Sequence, residues 1–284
     1  MTFAAQLLDV VTDPFAEPIT QRAFAEVVLL GIIGAALGAW VVFYELSYGA
    51  ESLAHGLFPG LVVSALTGLP LVVGGAAGLL VAAAAIALAR RIPEISGDTA
   101  IAIAVTSLFG LGVLLALSPT SPPGIQTLLF GDILGVSDGD LAFAAAAAVA
   151  TLAALRVMHG RLLVVGFDRP NARAFGANPR LADLALLVLL ALAILAGVQG
   201  LGSLLVVAVL IAPASTARLL VRRIVPMMAL GACLALVAGV AGIYLSYYAR
   251  TAAGASIAGA MVTEYLLALG ATAWSRRHVL PAGT

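Results

Sequence analysis

Glu51 and His55, in the stretch GAESLAHGLFPG over residues 49–60, are the residue types best placed to do chemistry. An ionisable side chain inside an apolar run is costly and marks a functional position by default. A spacing of four sets both on one face of a helix, with Cβ atoms about 6 Å apart. Imidazole and carboxylate together suit first-row divalent ions. Pro59 cannot donate to the carbonyl four residues back, which belongs to His55, so that carbonyl is freed and the helix should kink there. Two ligands fall short of a closed site, since zinc takes about four and manganese about six. A two-fold dimer would bring two such pairs face to face. The plainer reading makes His55 a core histidine bonded to a helix carbonyl, with Glu51 its partner or reaching for the membrane interface. Residue chemistry leaves both open.

The setting of this pair is a membrane. Of the 284 residues, 62% are hydrophobic and 10% are charged, and the mean hydropathy is +1.13. A soluble domain carries about 25% charged residues. So few charges could not coat a water-facing surface over this much apolar chain. All 14 basic residues are arginine. A Walker A phosphate loop needs a lysine, so any ATP-driven work must be powered by another polypeptide, and the chain reads as a transport subunit and not an enzyme. Zero net charge, with no basic stripe, argues against nucleic acid. The single cysteine, Cys233, permits no internal disulfide and reads as an inert buried thiol.

A spanning helix needs about 20 apolar residues. Candidate spans are 24–45, 47–68, 70–90, 99–117, 139–158, 181–198, 200–217, 226–248 and 255–274. The expectation is an all-α, polytopic transmembrane bundle of eight or nine spanning helices. Residues 1–23 form a tail or surface helix, 24–274 one transmembrane domain, and 275–284 a cytoplasmic tail. Arginines set the orientation. Alternating the spans from 70 onward gathers Arg90, Arg91, Arg156, Arg161, Arg169, Arg173, Arg180, Arg218, Arg222, Arg223, Arg276 and Arg277 on one face, the cytoplasmic one. The same argument leaves the side of the N-terminal end open. The outer segment 118–138 is too apolar for a free loop, and a short re-entrant or surface helix over about 124–135 fits it. The inner connection 159–180 reads as a short helix started near Asp168, with Pro170 in its first turn and Gly176 at its end. Such an element is something a separate motor protein could grip.

Other polar positions are weaker. Glu45 reads as an interfacial group. Glu264, mid-span, is a candidate to line a pathway or to pair with a neighbouring helix. Gln199 and Ser203 flank the glycine-rich GVQGLGS junction, and the pairs Gly34–Gly38 and Gly74–Gly78 suggest helix packing.

Six segments resemble, in order and over about residues 24–274, the permease subunit of bacterial ATP-binding-cassette importers for zinc, manganese or iron. They are SYGAESLAHGLFPG, ISGDTAIAIAVTSLFGLGVLL, LLFGDILGVSDGDL, FDRPNARAFGANP, GLGSLLVVAVLIAPASTARLL and GIYLSYYARTAAGASI. The resemblance implies a multi-pass protein of the bacterial plasma membrane that works as a pair of copies. Those copies sit on a cytoplasmic ATPase dimer and are fed by an extracellular or periplasmic metal-binding protein. The metal is then cargo, Zn2+, Mn2+ or Fe2+, and no permanent cofactor is implied. It puts metal binding on Glu51 and His55, and ATPase coupling on about 168–178, at Asp168, Arg169, Ala172, Phe175 and Gly176. Such permeases usually carry aspartate where this chain has Glu51. A permease for a metal chelate or vitamin, a gradient-driven transporter and a non-transporting scaffold are the alternatives.

Overall fold

The computed structural model describes residues 12–89, 92, 94, 96–119, 121–122, 124–125 and 127–279. Asp9, Arg90, Arg91 and residues 280–284 of the expected tail lie outside them.

The apolar runs become eight long helices: α1 (Pro18–Phe43), α2 (Ser47–Thr67), α3 (Leu71–Ala89), α4 (Gly97–Ala116), α6 (Asp138–Phe167), α7 (Pro179–Leu220), α8 (Ile224–Ala249) and α9 (Ala253–Val279). A four-residue helix, α5 (Thr127–Phe130), and a 3-10 turn at Ile133–Gly135 precede α6. Seven of the long helices are long and apolar enough to cross a membrane. The eighth, α2, carries Glu51 and His55. At 21 residues it is still about 31 Å long, enough for the hydrocarbon core.

At 42 residues, α7 would be about 63 Å long if straight. It is instead a hairpin. Gly202 breaks it with φ 72° and ψ 164°, a backbone region open essentially to glycine alone. Gly197 and Val206 pack against each other across the fold, although nine helical residues would separate them by about 13 Å. The arms are α7a (179–201) and α7b (203–220). Among the described residues the crossing arms are therefore α1, α2, α3, α4, α6, α7a, α7b, α8 and α9, the upper of the two expected counts.

The most buried of these is α1, with Leu30, Ile33, Leu37 and Trp40 fully enclosed. It is wrapped by α6, α7 and α8. Gly34 and Gly38 let α7b approach, since a side chain at Gly34 would meet the Leu210 Cα at 2.8 Å. The helices α2, α3 and α4 form a second group, in which Gly60 of α2 faces Gly74 and Gly78 of α3. The expected packing role of both glycine pairs is what the fold displays.

Two polar ties settle the end that the arginines leave open. Arg22 pairs with Asp138 at 3.3 Å, and the Tyr44 hydroxyl donates to the Leu162 carbonyl at 2.7 Å. So α1 runs parallel to α6. Arg156, Arg161 and Arg169 mark the Phe167 end of α6 as cytoplasmic, and Pro18 therefore lies at the outer end of the bundle.

Three expectations need correction. The helix α6 does not stop near 158 but continues to Phe167, because RLLVVGF keeps an apolar helical run going. The inner connection shrinks accordingly. It is also not a helix started at Asp168: Asp168 ends α6, and the turn proper is 3-10, Ala172–Phe175. Cys233 is exposed on the outward, apolar face of α8 and is not buried.

Candidate functional site

Three places in the bundle carry polar groups that packing alone does not explain: the middle of α2, the cytoplasmic turn, and the outer hairpin tip.

On α2, Tyr48 and Glu51 are exposed and His55 is half-buried, all on one helical face. His55 is the ninth residue of the helix, about 12 Å from its cytoplasmic end. Its Nδ1 lies 2.9 Å from the Glu51 carbonyl oxygen. A carbonyl can only accept, so Nδ1 is the protonated nitrogen and Nε2 keeps its lone pair. The carbonyl-bonded histidine of the plainer reading is thus present, and the same bond prepares the ring as a ligand. Phe109 of α4 packs on the ring with centroids 4.7 Å apart, and Gly112 of α4 lies against Phe58 and Pro59. Among the described residues no group of three or more His, Cys, Asp or Glu could hold a metal. One chain offers Glu51 and His55, and only part of a coordination shell.

At the cytoplasmic turn, Asp168 accepts from the Asn171 backbone N–H and side chain at 3.3 and 3.0 Å. Ala172 is fully buried and anchors the turn. Gly176 closes it with φ 74°, and the Asn178 side chain then caps α7 by accepting from the Arg180 N–H at 3.1 Å. Arg169 forms a two-pronged pair with Asp183 of α7a, through Nη1–Oδ1 at 3.2 Å and through Nη2–Oδ2. That hydrogen-bonded pairing raises the already high pKa of the Arg169 guanidinium. On this braced turn Phe175 stands 71% exposed. A large aromatic held rigidly outside the apolar core is a docking feature.

At the outer end the re-entrant segment is pinned to the hairpin. The Asp132 N–H donates to the Gln199 carbonyl at 3.2 Å. Gly131 (φ 77°) meets Gly202, and a Cβ on either would strike the other's backbone segment.

Glu264 is half-buried on α9 beside exposed Leu266 and Leu267. Since α9 packs on α7 and α8 while α2 packs on α3, α4 and α7, it is not brought to Glu51 and His55. Sequence reasoning passed over two residues. Asp183 lies in a span and gave no signal until its partner was known. Glu26 was readable: with α1 starting at Pro18, it stands about 12 Å inside the helix.

The comparisons agree with this architecture. The ABC 3 transport family matches residues 16–272. The chain is 30% identical over 237 residues to the manganese transport system membrane protein MntC of Listeria innocua, covering 84% of this chain and 85% of that one. It is 28% identical over 263 residues to the chelated iron transport system membrane protein YfeD of Yersinia pestis, covering 93% and 89%. Its structure is similar to that of PsaBC from Streptococcus pneumoniae in complex with Fab, with a TM-score of 0.84, 29% identity, and 94% and 95% of the two chains covered. With the hairpin, the re-entrant segment and the arginine-marked cytoplasmic turn in place along the matched length, the chain is a multi-pass membrane protein that belongs to the ABC 3 transport family.

Proposed function

We propose that two copies of this chain form the membrane pathway of an ATP-binding-cassette importer for a divalent metal ion, with manganese, iron and zinc as the cargo candidates. Glu51 and His55 of each copy are the ligands within the pathway. The turn at Asp168, Arg169, Ala172, Phe175 and Gly176 receives the stroke of a separate ATPase. An external metal-binding protein delivers the ion.

The observation that carries this reading is the state of His55. Its Nδ1 proton is committed to the Glu51 carbonyl, which leaves Nε2 free to bind a metal next to a carboxylate on the same helical face. Because one copy supplies two ligands, a second copy across a two-fold axis supplies the rest. The names of the relatives, one for manganese and one for chelated iron, favour first-row metals. The second name also keeps a chelate as the rival cargo.

Proteoliposomes holding the permease with its ATPase and binding protein test this. Uptake of bare manganese, zinc or ferrous ion that requires ATP is the expected result. Uptake of a chelate but of no bare ion would transfer the reading to the rival, because a chelate needs a wide path and no direct ligands.

A further inference from the structure

Glu26 has no task in the import reading, yet it is the most enclosed acid in the bundle. It is 0% exposed, and neither carboxylate oxygen has a hydrogen-bond partner. Among the described residues no ion pair includes it. Arg22, one turn earlier on α1, gives its Nη1 to Asp138 instead. The charge that acts on Glu26 is that of Asp140, which has the same sign. A fold keeps an acid in this position only if something positive keeps it company.

The space for a positive species lies next to it. A cavity of about 210 Å³ opens between the outer end of α3, the start of α6 and the hairpin tip, walled by Asp132, Val136, Asp140 and Gln199. Glu26 Oε1 and Val136 Cγ2 lie 3.6 and 3.2 Å from the point where a side chain on Gly200 would begin. Because position 200 is glycine, the carboxylate reaches the hairpin backbone directly behind Gln199. Asp132 also lines a second cavity of about 370 Å³, whose wall includes Glu17. Acidic groups therefore run from the outer surface to Glu26, and a cleft of one sign with apolar walls concentrates ions of the other.

The donors here are all oxygen, which suits hard divalent cations such as Mn2+ and Mg2+. The smaller cavity has room for about seven waters at about 30 Å³ each. These carboxylates do not converge as a ligand set, so an ion would keep its water shell here and shed it deeper in, where an imidazole waits.

We propose that the vestibule walled by Asp132, Asp140 and Gln199, with Glu26 behind it, is an outer station that takes a hydrated divalent cation before it reaches Glu51 and His55. The proposal rests on the import reading.

Mn2+ binding to the permease–ATPase complex in nanodiscs, followed by electron paramagnetic resonance, tests it. Wild type should bind two classes of Mn2+, one with nitrogen coupling from His55 and one with oxygen ligands alone. Glu26→Gln breaks no bond present in the fold and should weaken the oxygen class at least ten-fold while sparing the nitrogen class. His55→Ala should do the reverse. Melting temperature confirms that each variant is folded, and Glu26→Asp should restore part of the oxygen class. A single class that disappears in His55→Ala and persists in Glu26→Gln would overturn the outer station and leave the import site standing. A single class with the opposite pattern would uphold the station and overturn the inner site.

Discussion

The imidazole Nδ1 of His55 is held 2.9 Å from the backbone carbonyl of Glu51, so one candidate ligand orients the other through its main chain. The two parts of Glu51 can therefore be separated. Glu51→Ala keeps the carbonyl, and with it the ring orientation, and removes only the carboxylate. Metal affinity should fall by about 10–100-fold or more, the scale seen when a ligand's supporting partner is lost, with little change in melting temperature. Glu51→Asp keeps the charge on a shorter stem and should retain part of the uptake with a shifted order of metals. Competition uptake with manganese, zinc and iron reads this out, and equal uptake by Glu51→Ala and wild type would remove the carboxylate from the pathway.

The outer hairpin depends on one glycine. Gly202→Ala forces a Cβ into a backbone region closed to it, at a cost on the order of 1–3 kcal/mol, and pushes that Cβ toward the Leu129 carbonyl and the Gly131 N–H. Thermal unfolding in detergent should show a clear loss of stability. Gly259→Ala on α9, where nothing lies within 4 Å, is the control and should be neutral or stabilising.

Arg169 and Asp183 are partly exposed, with side-chain accessibilities of 53% and 26%. Such a pair contributes under about 1 kcal/mol, so its role is to position the cytoplasmic turn. Arg169→Ala and Asp183→Ala should each shift the melting temperature by less than about 4 °C. Both should lower ATP-driven uptake while metal binding is unchanged. A large stability loss in both would assign the pair a structural role instead.

Phe175 is the exposed knob of that turn. Phe175→Ala should leave the isolated permease as stable as wild type, since the ring buries little in this chain, and should weaken its association with the ATPase. Co-purification and ATP hydrolysis rates measure this. Undiminished coupling would move the docking surface elsewhere on the cytoplasmic face.

Much of this architecture was legible because a membrane helix announces itself locally, by a run of about 20 apolar residues. The GVQGLG junction between two short apolar runs marked the hairpin, and arginine placement oriented most of the spans. What was not legible depended on partners distant in sequence. The side on which α1 begins needed the Arg22–Asp138 and Tyr44–Leu162 ties, between residues more than a hundred positions apart. The pairing of Arg169 with Asp183 likewise appears only once α6 and α7a are folded back. Glu26 was passed over for a local reason. A span taken to begin at residue 24 puts it at the interface, whereas Pro18 at the first turn starts the helix earlier and sinks it. The coupling turn was found in position but not in form, since α6 absorbed its first nine residues.

The most direct measurement is whole-cell metal content by mass spectrometry, in cells stripped of their own importers and carrying this chain with its ATPase and binding protein. Wild type should accumulate manganese, iron or zinc, and His55→Ala, at equal membrane abundance, should not. Equal accumulation of the same metal by both would contradict the assignment of the pathway to Glu51 and His55.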